Sequence, residues 1–244
     1  MSETASAILV LGMHRSGTSC LAGSLQQAGL ELGKVFTKNA FNAKGNRENK
    51  DVMKLNEDVL EFSGGAWDAP PRELCWKKKH AKRRDGILKR LAAAADRSWG
   101  FKDPRALLTM PFWRESGVEF KFIGTIRHPL PVAQSLEARG GRPLAEGFAL
   151  WLAYNRCLIA LHDEVSFPVI SFDAPDELYL DQVRQVVIQL GLDSETSDSP
   201  FFEGTLRRRF EAGKSPEINL PPEVEQLYRR LTEIAAGVSS EGKQ

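Results

Sequence analysis

Residues 9–19 read Leu-Val-Leu-Gly-Met-His-Arg-Ser-Gly-Thr-Ser and join an apolar run to a segment with helical periodicity. This pattern predicts a strand that ends at Gly12 and a helix that opens at Gly17 after a short loop. In such a turn the backbone N–H groups and the positive end of the helix converge on one point, which suits a bound anion. The two glycines permit the tight turn and a close approach of an oxyanion to the backbone. The turn therefore predicts an anion site between a strand and a helix.

Residues 12–19 nearly match the Walker A pattern G-x-x-x-x-G-K-[ST], with one departure. Thr18 stands where the pattern has lysine, and the cation of the loop is Arg15 instead. A loop that hydrolyses ATP or GTP needs the lysine on the β- and γ-phosphates and a hydroxyl on its metal ion. The departure counts heavily against a P-loop nucleotide kinase or NTPase, which is the alternative reading of this loop.

Beyond the loop, apolar strand-like runs alternate with helix-period segments, which is typical of an α/β protein. We expect a P-loop NTPase-like, three-layer α/β/α fold with a central, mainly parallel sheet, in a single domain over residues 1–244. The predicted strands are Ala7–Leu11, Ser98–Lys102, Phe120–Ile126 and Pro168–Phe172. The predicted helices are Gly17–Ala28, Asp51–Phe62, Ala81–Ala95, Leu107–Glu115, Pro129–Glu137, Leu144–Glu164, Asp176–Leu190 and Pro222–Ala235.

A second strand-to-helix junction occurs in residues 122–135, which read FIGTIRHPLPVAQS. Arg127 stands at the predicted carboxyl end of the strand, and Pro129 suits the first helical position because its missing N–H is not needed there. Ser135 follows about two turns into the helix. A terminal phosphate is well matched by a guanidinium fork and a hydroxyl. A third short strand ends at Lys102, so a further cation is expected near the same edge of the sheet.

Together these motifs resemble the sulfotransferases that use 3'-phosphoadenosine-5'-phosphosulfate (PAPS), in particular the bacterial type with an H-R-S-G-T-S loop. The resemblance covers about residues 7–135, and the K-D-P segment that begins at Lys102 is distantly similar to that of protein-tyrosine sulfotransferases. It implies that Arg127 and Ser135 bind the 3'-phosphate, and that Arg15 and Lys102 stabilise charge on the bridging and sulfuryl oxygens. It also implies a 5'-phosphosulfate loop made of His14, Arg15, Ser16, Gly17, Thr18 and Ser19.

The implied reaction transfers the sulfuryl group of PAPS to a hydroxyl or amine and releases 3'-phosphoadenosine-5'-phosphate (PAP). Residues 42–49 read NAKGNREN and resemble the N-P-K-G-x-x-E-N stretch of the bacterial enzymes, in which Glu48 matches a glutamate. Ala43 replaces the usual proline, which loosens the match. Glu48 is the preferred general base, and His14 is the competing candidate because imidazole titrates near neutral pH. A third possibility is that neither residue is the base.

Composition bounds the remaining functions. The 244 residues are 42% hydrophobic, which suits one sizeable globular domain. The net charge of +1 does not by itself predict a polyanionic partner, although local charge can still attract one. No apolar run approaches 18 residues, so we expect no membrane span. The few cysteines, Cys20, Cys75 and Cys157, give neither a metal-ligand spacing nor a disulfide framework, so we expect no metal site and a cytoplasmic location. Residues 239–244 are expected to fray.

Two basic segments allow more than one reading. The run from Lys77 to Arg90 is either a solvated helix face or a binding site for an acidic acceptor or for an anionic surface. Nucleic acid is not favoured as its partner, because no aromatic platform accompanies the run. Residues Arg207–Arg209 are either a contact to the nucleotide or a solvated turn. The acceptor is a glycan, peptide, lipid or small metabolite that the sequence does not identify, and the oligomeric state is equally open. A PAP-binding protein without turnover is a further reading.

Overall fold

A five-stranded parallel sheet forms the centre of the computed structural model, which describes residues 6–38, 44–193, 201–204 and 219–238. The strands lie in the order β2-β3-β1-β4-β5. β1 is central, since its Val10 pairs with Lys102 of β3 and its Leu11 with Gly124 of β4. The carboxyl ends of these three strands therefore lie side by side. The strand bounds are β1 Ser6–Leu11, β2 Leu30–Glu31, β3 Ser98–Lys102, β4 Phe120–Ile126 and β5 Val169–Ser171.

Eight α-helices and one 3-10 helix, Pro104–Leu107, complete the described part of the chain. The α-helices are α1 Thr18–Gln27, α2 Lys50–Phe62, α3 Lys78–Ala93, α4 Met110–Arg114, α5 Pro129–Gly140, α6 Leu144–Glu164, α7 Asp176–Gln189 and α8 Pro222–Gly237.

Helices cover both faces of the sheet because side chains of β1 alternate between two cores. Leu9 and Leu11 belong to the larger core, with residues of α2 to α6 and α8. Ile8 and Val10 belong to the smaller core, with residues of α1 and α7. The three layers and the parallel sheet confirm the predicted α/β fold class.

The boundaries of β3, β4 and α6 coincide with the prediction, and most others agree to within two residues. α5 ends at Gly140 rather than Glu137, and three further features differ from the prediction. β2 was not predicted, because two residues are too few to show strand periodicity. The single helix predicted over Leu107–Glu115 is wrong: the chain forms the 3-10 helix and then α4. Pro111 lacks an N–H and is tolerated only in the first turn, so a helix must restart just before it. α3 begins at Lys78 rather than Ala81.

Helix α6 is long and apolar enough, by length and composition alone, to cross a membrane. It is also packed inside the fold: half of its most apolar window is buried, and Trp151, Tyr154 and Leu158 are fully inaccessible. These contacts are typical of the core helix of a globular domain. That the chain has no membrane span stays a prediction, as does the single domain over residues 1–244. The expected frayed tail, residues 239–244, lies outside the described residues.

Candidate active site

The β1–α1 loop has a backbone that only glycine fits at two points. Gly12 adopts φ +149°, and a Cβ there would lie 2.6 Å from the carbonyl oxygen of Thr125. Gly17 adopts φ +85°, and its Cβ would lie 2.2 Å from the ring of Phe172. Arg15 also lies in the left-handed region, at φ 68°, where a residue with a side chain costs about 1–2 kcal/mol. Backbone strain of this kind is concentrated at functional sites.

The loop leaves the start of α1 available to an anion. Gly17 is the N-cap residue, and it has no side chain that could accept from the first N–H groups of the helix. In the part of the chain that the structure describes, the N–H groups of Gly17, Thr18 and Ser19 have no hydrogen-bond acceptor. Ser16 supports the turn, since its carbonyl accepts from the Thr125 hydroxyl at 3.1 Å. Unsatisfied N–H groups at a helix start are a ready anion site.

The two cationic anchors predicted from the sequence lie together. Arg15 Nε donates to the Ser135 hydroxyl at 2.8 Å, and a terminal nitrogen of Arg127 donates to the Arg15 carbonyl at 3.2 Å. The residues come from the neighbouring ends of β1 and β4 and from α5. One elongated anionic ligand can therefore reach both junctions.

Asp173, which follows β5, was not predicted to belong to the site. Its carboxylate lies 3.5 Å from Arg127 Nε and accepts the backbone N–H of His128 at 2.5 Å. It thereby fixes both the guanidinium and the start of α5. No local pattern marks this residue, because its partners come from a distant part of the chain.

A second charged group forms around Lys102, at the end of β3. Its Nζ lies 2.8 Å from Glu48 Oε1, 3.1 Å from the Asn46 carbonyl and 3.4 Å from the Ser19 hydroxyl. Ser19 itself donates to the same Asn46 carbonyl at 3.0 Å. The Lys102 and Glu48 side chains are only 3% and 6% exposed. The structure thus brings the predicted lysine and the predicted base into one buried ion pair beside the loop.

Arg105 and Asp103, close to the Lys102–Glu48 pair, were also not predicted to belong to the site. Arg105 lies 3.8 Å from Glu48, 3.0 Å from Glu57 and 3.2 Å from Asp103. Asp103 caps the 3-10 helix, since it accepts the Arg105 N–H at 2.8 Å. Burial raises the pKa of Asp103 to about 6, although Arg105 opposes the shift. The sequence offered one signal, because an Asp before proline is a common helix cap.

His14 contacts aromatic rings between the two charged groups. Its ring centroid lies 4.7 Å from that of Trp67 and 5.7 Å from that of Tyr154. Burial holds the pKa of His14 well below its ordinary value, and the positive charges of Arg105 and Lys102 lower it further. Its Nε2 atom is buried and lacks a hydrogen-bond partner among the described residues. The unpartnered nitrogen gives His14 a site for a proton, but burial and the neighbouring positive charges disfavour the protonated imidazole.

The remaining predicted features are not part of this geometry. Ala43 and Arg207–Arg209 lie outside the described residues. No group of three His, Cys, Asp or Glu that could hold a metal ion occurs within the described ranges. In the basic run, the arginines pair with carboxylates of the chain, whereas five lysines are exposed. Arg83 pairs with Asp58, Arg84 with Asp85 and Glu115, and Arg90 with Asp51. The exposed lysines are Lys77, Lys78, Lys79, Lys82 and Lys89.

Neither a protein-family model nor a curated protein sequence matches the chain. The solved structures similar to it in fold include two sulfotransferase domains. The sulfotransferase domain from the olefin synthase of Synechococcus PCC 7002 aligns with a TM-score of 0.56 and 17% identity, over 94% of this chain and 96% of that one. The sulfotransferase domain from the curacin biosynthetic pathway aligns with a TM-score of 0.51 and 16% identity, over 95% of this chain and 99% of that one. The chain therefore has the fold of sulfotransferase domains.

Proposed function

We propose that the chain is a sulfotransferase that uses PAPS as its sulfuryl donor. The observation that carries this proposal is the contact between the Arg15 loop and the Arg127–Ser135 junction, beside a buried Lys102–Glu48 pair. PAPS carries an anionic group at each end of one adenosine, and the two junctions offer a cationic or N–H-rich site for each. A nucleotide with phosphates at one end alone would leave the Arg127 junction unused.

The residues present fit the donor. The N–H groups at the start of α1 suit the 5'-phosphosulfate. Arg127 and Ser135 suit the 3'-phosphate, because a guanidinium and a hydroxyl supply charge-assisted hydrogen bonds. Lys102 lies next to Ser19 of the loop, where it can stabilise charge on the oxygens of the transferred group.

In the proposed step, the acceptor oxygen or nitrogen forms a bond to sulfur while the bond from sulfur to the bridging phosphate oxygen breaks. That oxygen leaves as part of PAP with the electron pair of the broken bond. The proton of the acceptor passes to a general base, for which Glu48 is our first choice and His14 the alternative. Positioning and charge stabilisation supply most of the catalysis in transfers of this type. Lys102→Met should therefore slow transfer by about 10²–10³-fold, the scale seen for a single oxyanion donor.

Calorimetric titration with PAP, AMP, ADP and ATP tests the donor. We expect PAP to bind at least about tenfold more tightly than AMP, because the charge-assisted bonds to the 3'-phosphate are lost in AMP. Tighter binding of ATP than of PAP, with a requirement for Mg²⁺, would instead indicate a nucleotide kinase or NTPase. PAP release from PAPS, measured with panels of glycans, peptides, lipids and small metabolites, then tests turnover. Tight PAP binding with no acceptor modified would favour a binding protein.

The base is assigned by two variants. Glu48→Gln should bind PAP like the wild type and lose transfer, whereas His14→Gln should retain most of it. The reverse result would make His14 the base. Its unpartnered Nε2 gives it a site for the proton, although its lowered pKa makes it the weaker candidate.

A further inference from the structure

The position of the Arg15 side chain bears on which end of the donor it contacts. The family resemblance places Arg15 at the sulfuryl group. In the structure its Nε donates to the Ser135 hydroxyl at 2.8 Å. Ser135 is the residue that the second motif assigns to the 3'-phosphate. A guanidinium one hydrogen bond away from that hydroxyl is within reach of the same phosphate.

The backbone holds Arg15 in this orientation. Its φ of 68° is an unfavourable value for a residue with a side chain. The strained conformation is fixed from the β4 side, because Arg127 donates to the Arg15 carbonyl at 3.2 Å. Arg127 is fixed in turn by Asp173, 3.5 Å from its Nε. The two guanidinium groups and the Ser135 hydroxyl therefore form one connected cluster.

The sulfuryl end has another cation. Lys102 contacts Ser19, two residues after Gly17 in the loop, and it pairs with the predicted base Glu48. Lys102 can thus stabilise the charge of the transferred group without help from the Arg15 side chain.

We propose that Arg15 selects donors that carry a 3'-phosphate, together with Arg127 and Ser135, and that Lys102 is the side-chain cation of the sulfuryl end. This inference rests on the proposed function and assigns Arg15 to one end of its donor. A terminal phosphate carries nearly two negative charges, which two guanidinium groups and a hydroxyl match better than one guanidinium does. The ligand class is a nucleotide phosphorylated at both ends of its ribose.

Titration of PAP and AMP against Arg15→Gln tests the inference. We expect PAP binding to weaken by about 10- to 100-fold, the range for a lost charge-assisted hydrogen bond, and AMP binding to change by less than about threefold. Arg15→Gln and Ser135→Ala combined should weaken PAP binding by less than the product of the single effects, because the two residues share a hydrogen bond.

The control is Lys82→Gln, which removes an equal charge from an exposed position on α3. It should change the ratio of PAP to AMP affinity by less than about threefold. Arg15→Lys provides a second variant if Arg15→Gln does not fold. It keeps the positive charge but loses the forked donors of the guanidinium, so it should lose part of the affinity for PAP and none of the affinity for AMP.

Equal weakening of PAP and AMP by Arg15→Gln would overturn the inference and return Arg15 to the 5' end, while the proposed function would stand. If the wild-type protein does not distinguish PAP from AMP, the proposed function itself fails. The two failures are therefore separable within one set of titrations.

Discussion

Replacing Glu48 with glutamine should lower the free energy of unfolding by about 2–3 kcal/mol. Removing one partner of a buried ion pair costs about 3–5 kcal/mol, because the other charge stays buried without compensation. The Glu48 and Lys102 side chains are 6% and 3% exposed and 2.8 Å apart, so they meet that condition. The loss is reduced here because Lys102 keeps the Asn46 carbonyl at 3.1 Å and glutamine retains one carbonyl oxygen.

The converse change, Lys102→Met, should cost about 2 kcal/mol, because Arg105, at 3.8 Å, is then the one cation left beside Glu48 among the described residues. The double variant should cost about 2 kcal/mol less than the sum of the single changes, since no buried charge of the pair remains. Urea unfolding followed by tryptophan fluorescence measures all four free energies. For a chain of this size the Glu48→Gln change corresponds to a fall in Tm of about 4–12 °C.

The exposed pair Arg114–Glu164 is the matched control, because it also joins one cation to one carboxylate, at 2.7 Å. Its double-variant cycle should give a clearly smaller coupling, since solvent screens both charges. A Glu48–Lys102 coupling no larger than that of the exposed pair would refute the reasoning. So would a Glu48→Gln variant as stable as the wild type.

Three further predictions concern the glycine turn, a buried carboxyl and a buried amide. Gly17→Ala should abolish PAP binding and lower the unfolding free energy by about 2 kcal/mol or more. The new Cβ would lie 2.2 Å from the Phe172 ring, on a residue with a left-handed φ. The double variant Gly17→Ala, Phe172→Ala should recover part of the Tm but not PAP binding. The wild type should lose about 1–2 kcal/mol of unfolding free energy relative to Asp103→Asn between pH 5 and pH 7. The folded-state pKa of Asp103, about 6, lies above its unfolded value, so ionisation of the carboxyl favours unfolding. An equal difference between the two proteins at both pH values, measured by urea unfolding, would contradict this. Asn56→Leu should cost about 1–2 kcal/mol in the same assay, because the Trp113 Nε1 atom loses its acceptor, the buried Asn56 Oδ1 at 2.8 Å. The Thr109 hydroxyl also loses Asn56 Oδ1 but keeps the Arg105 carbonyl at 3.2 Å. No change in stability would show that Trp113 finds another partner.

Local patterns carried most of the fold. The apolar run before Gly12 and the helix after Gly17 follow from periodicity and turn chemistry, and the same reasoning placed β3, β4 and α6. It failed for β2, because two residues are too few to show strand periodicity. It also failed at Pro111, where the proline interrupts a helix that the apolar periodicity predicts. Element order alone does not place β1 between β3 and β4, since strand neighbours depend on contacts between distant parts of the chain.

The candidate site divides in the same way. Residues within motifs, such as Lys102 and Arg127, could be named from the sequence, and the structure brings them to one edge of the sheet. Asp173 and Arg105 could not, because their roles depend on partners from other elements. The Arg15–Ser135 bond likewise joins two motifs that the sequence analysis assigned to different ends of the ligand. The individual roles of these residues stay predictions.

The residues that would discriminate among nucleotides and those that would meet the acceptor lie on different connections of the sheet. The first group follows β1 and β4, whereas Glu48, our first choice for the base, lies between β2 and β3. Within residues 33–77, Asn46 contacts Ser19 and Glu48 pairs with Lys102. Substitutions in this segment that keep these two residues can therefore reshape the acceptor side while leaving the nucleotide-facing turns in place. If the proposed function holds, a chimaera that takes the rest of this segment from a solved sulfotransferase domain should modify a different compound with the same donor. The β2–β3 connection would then be the place to engineer new acceptor preferences.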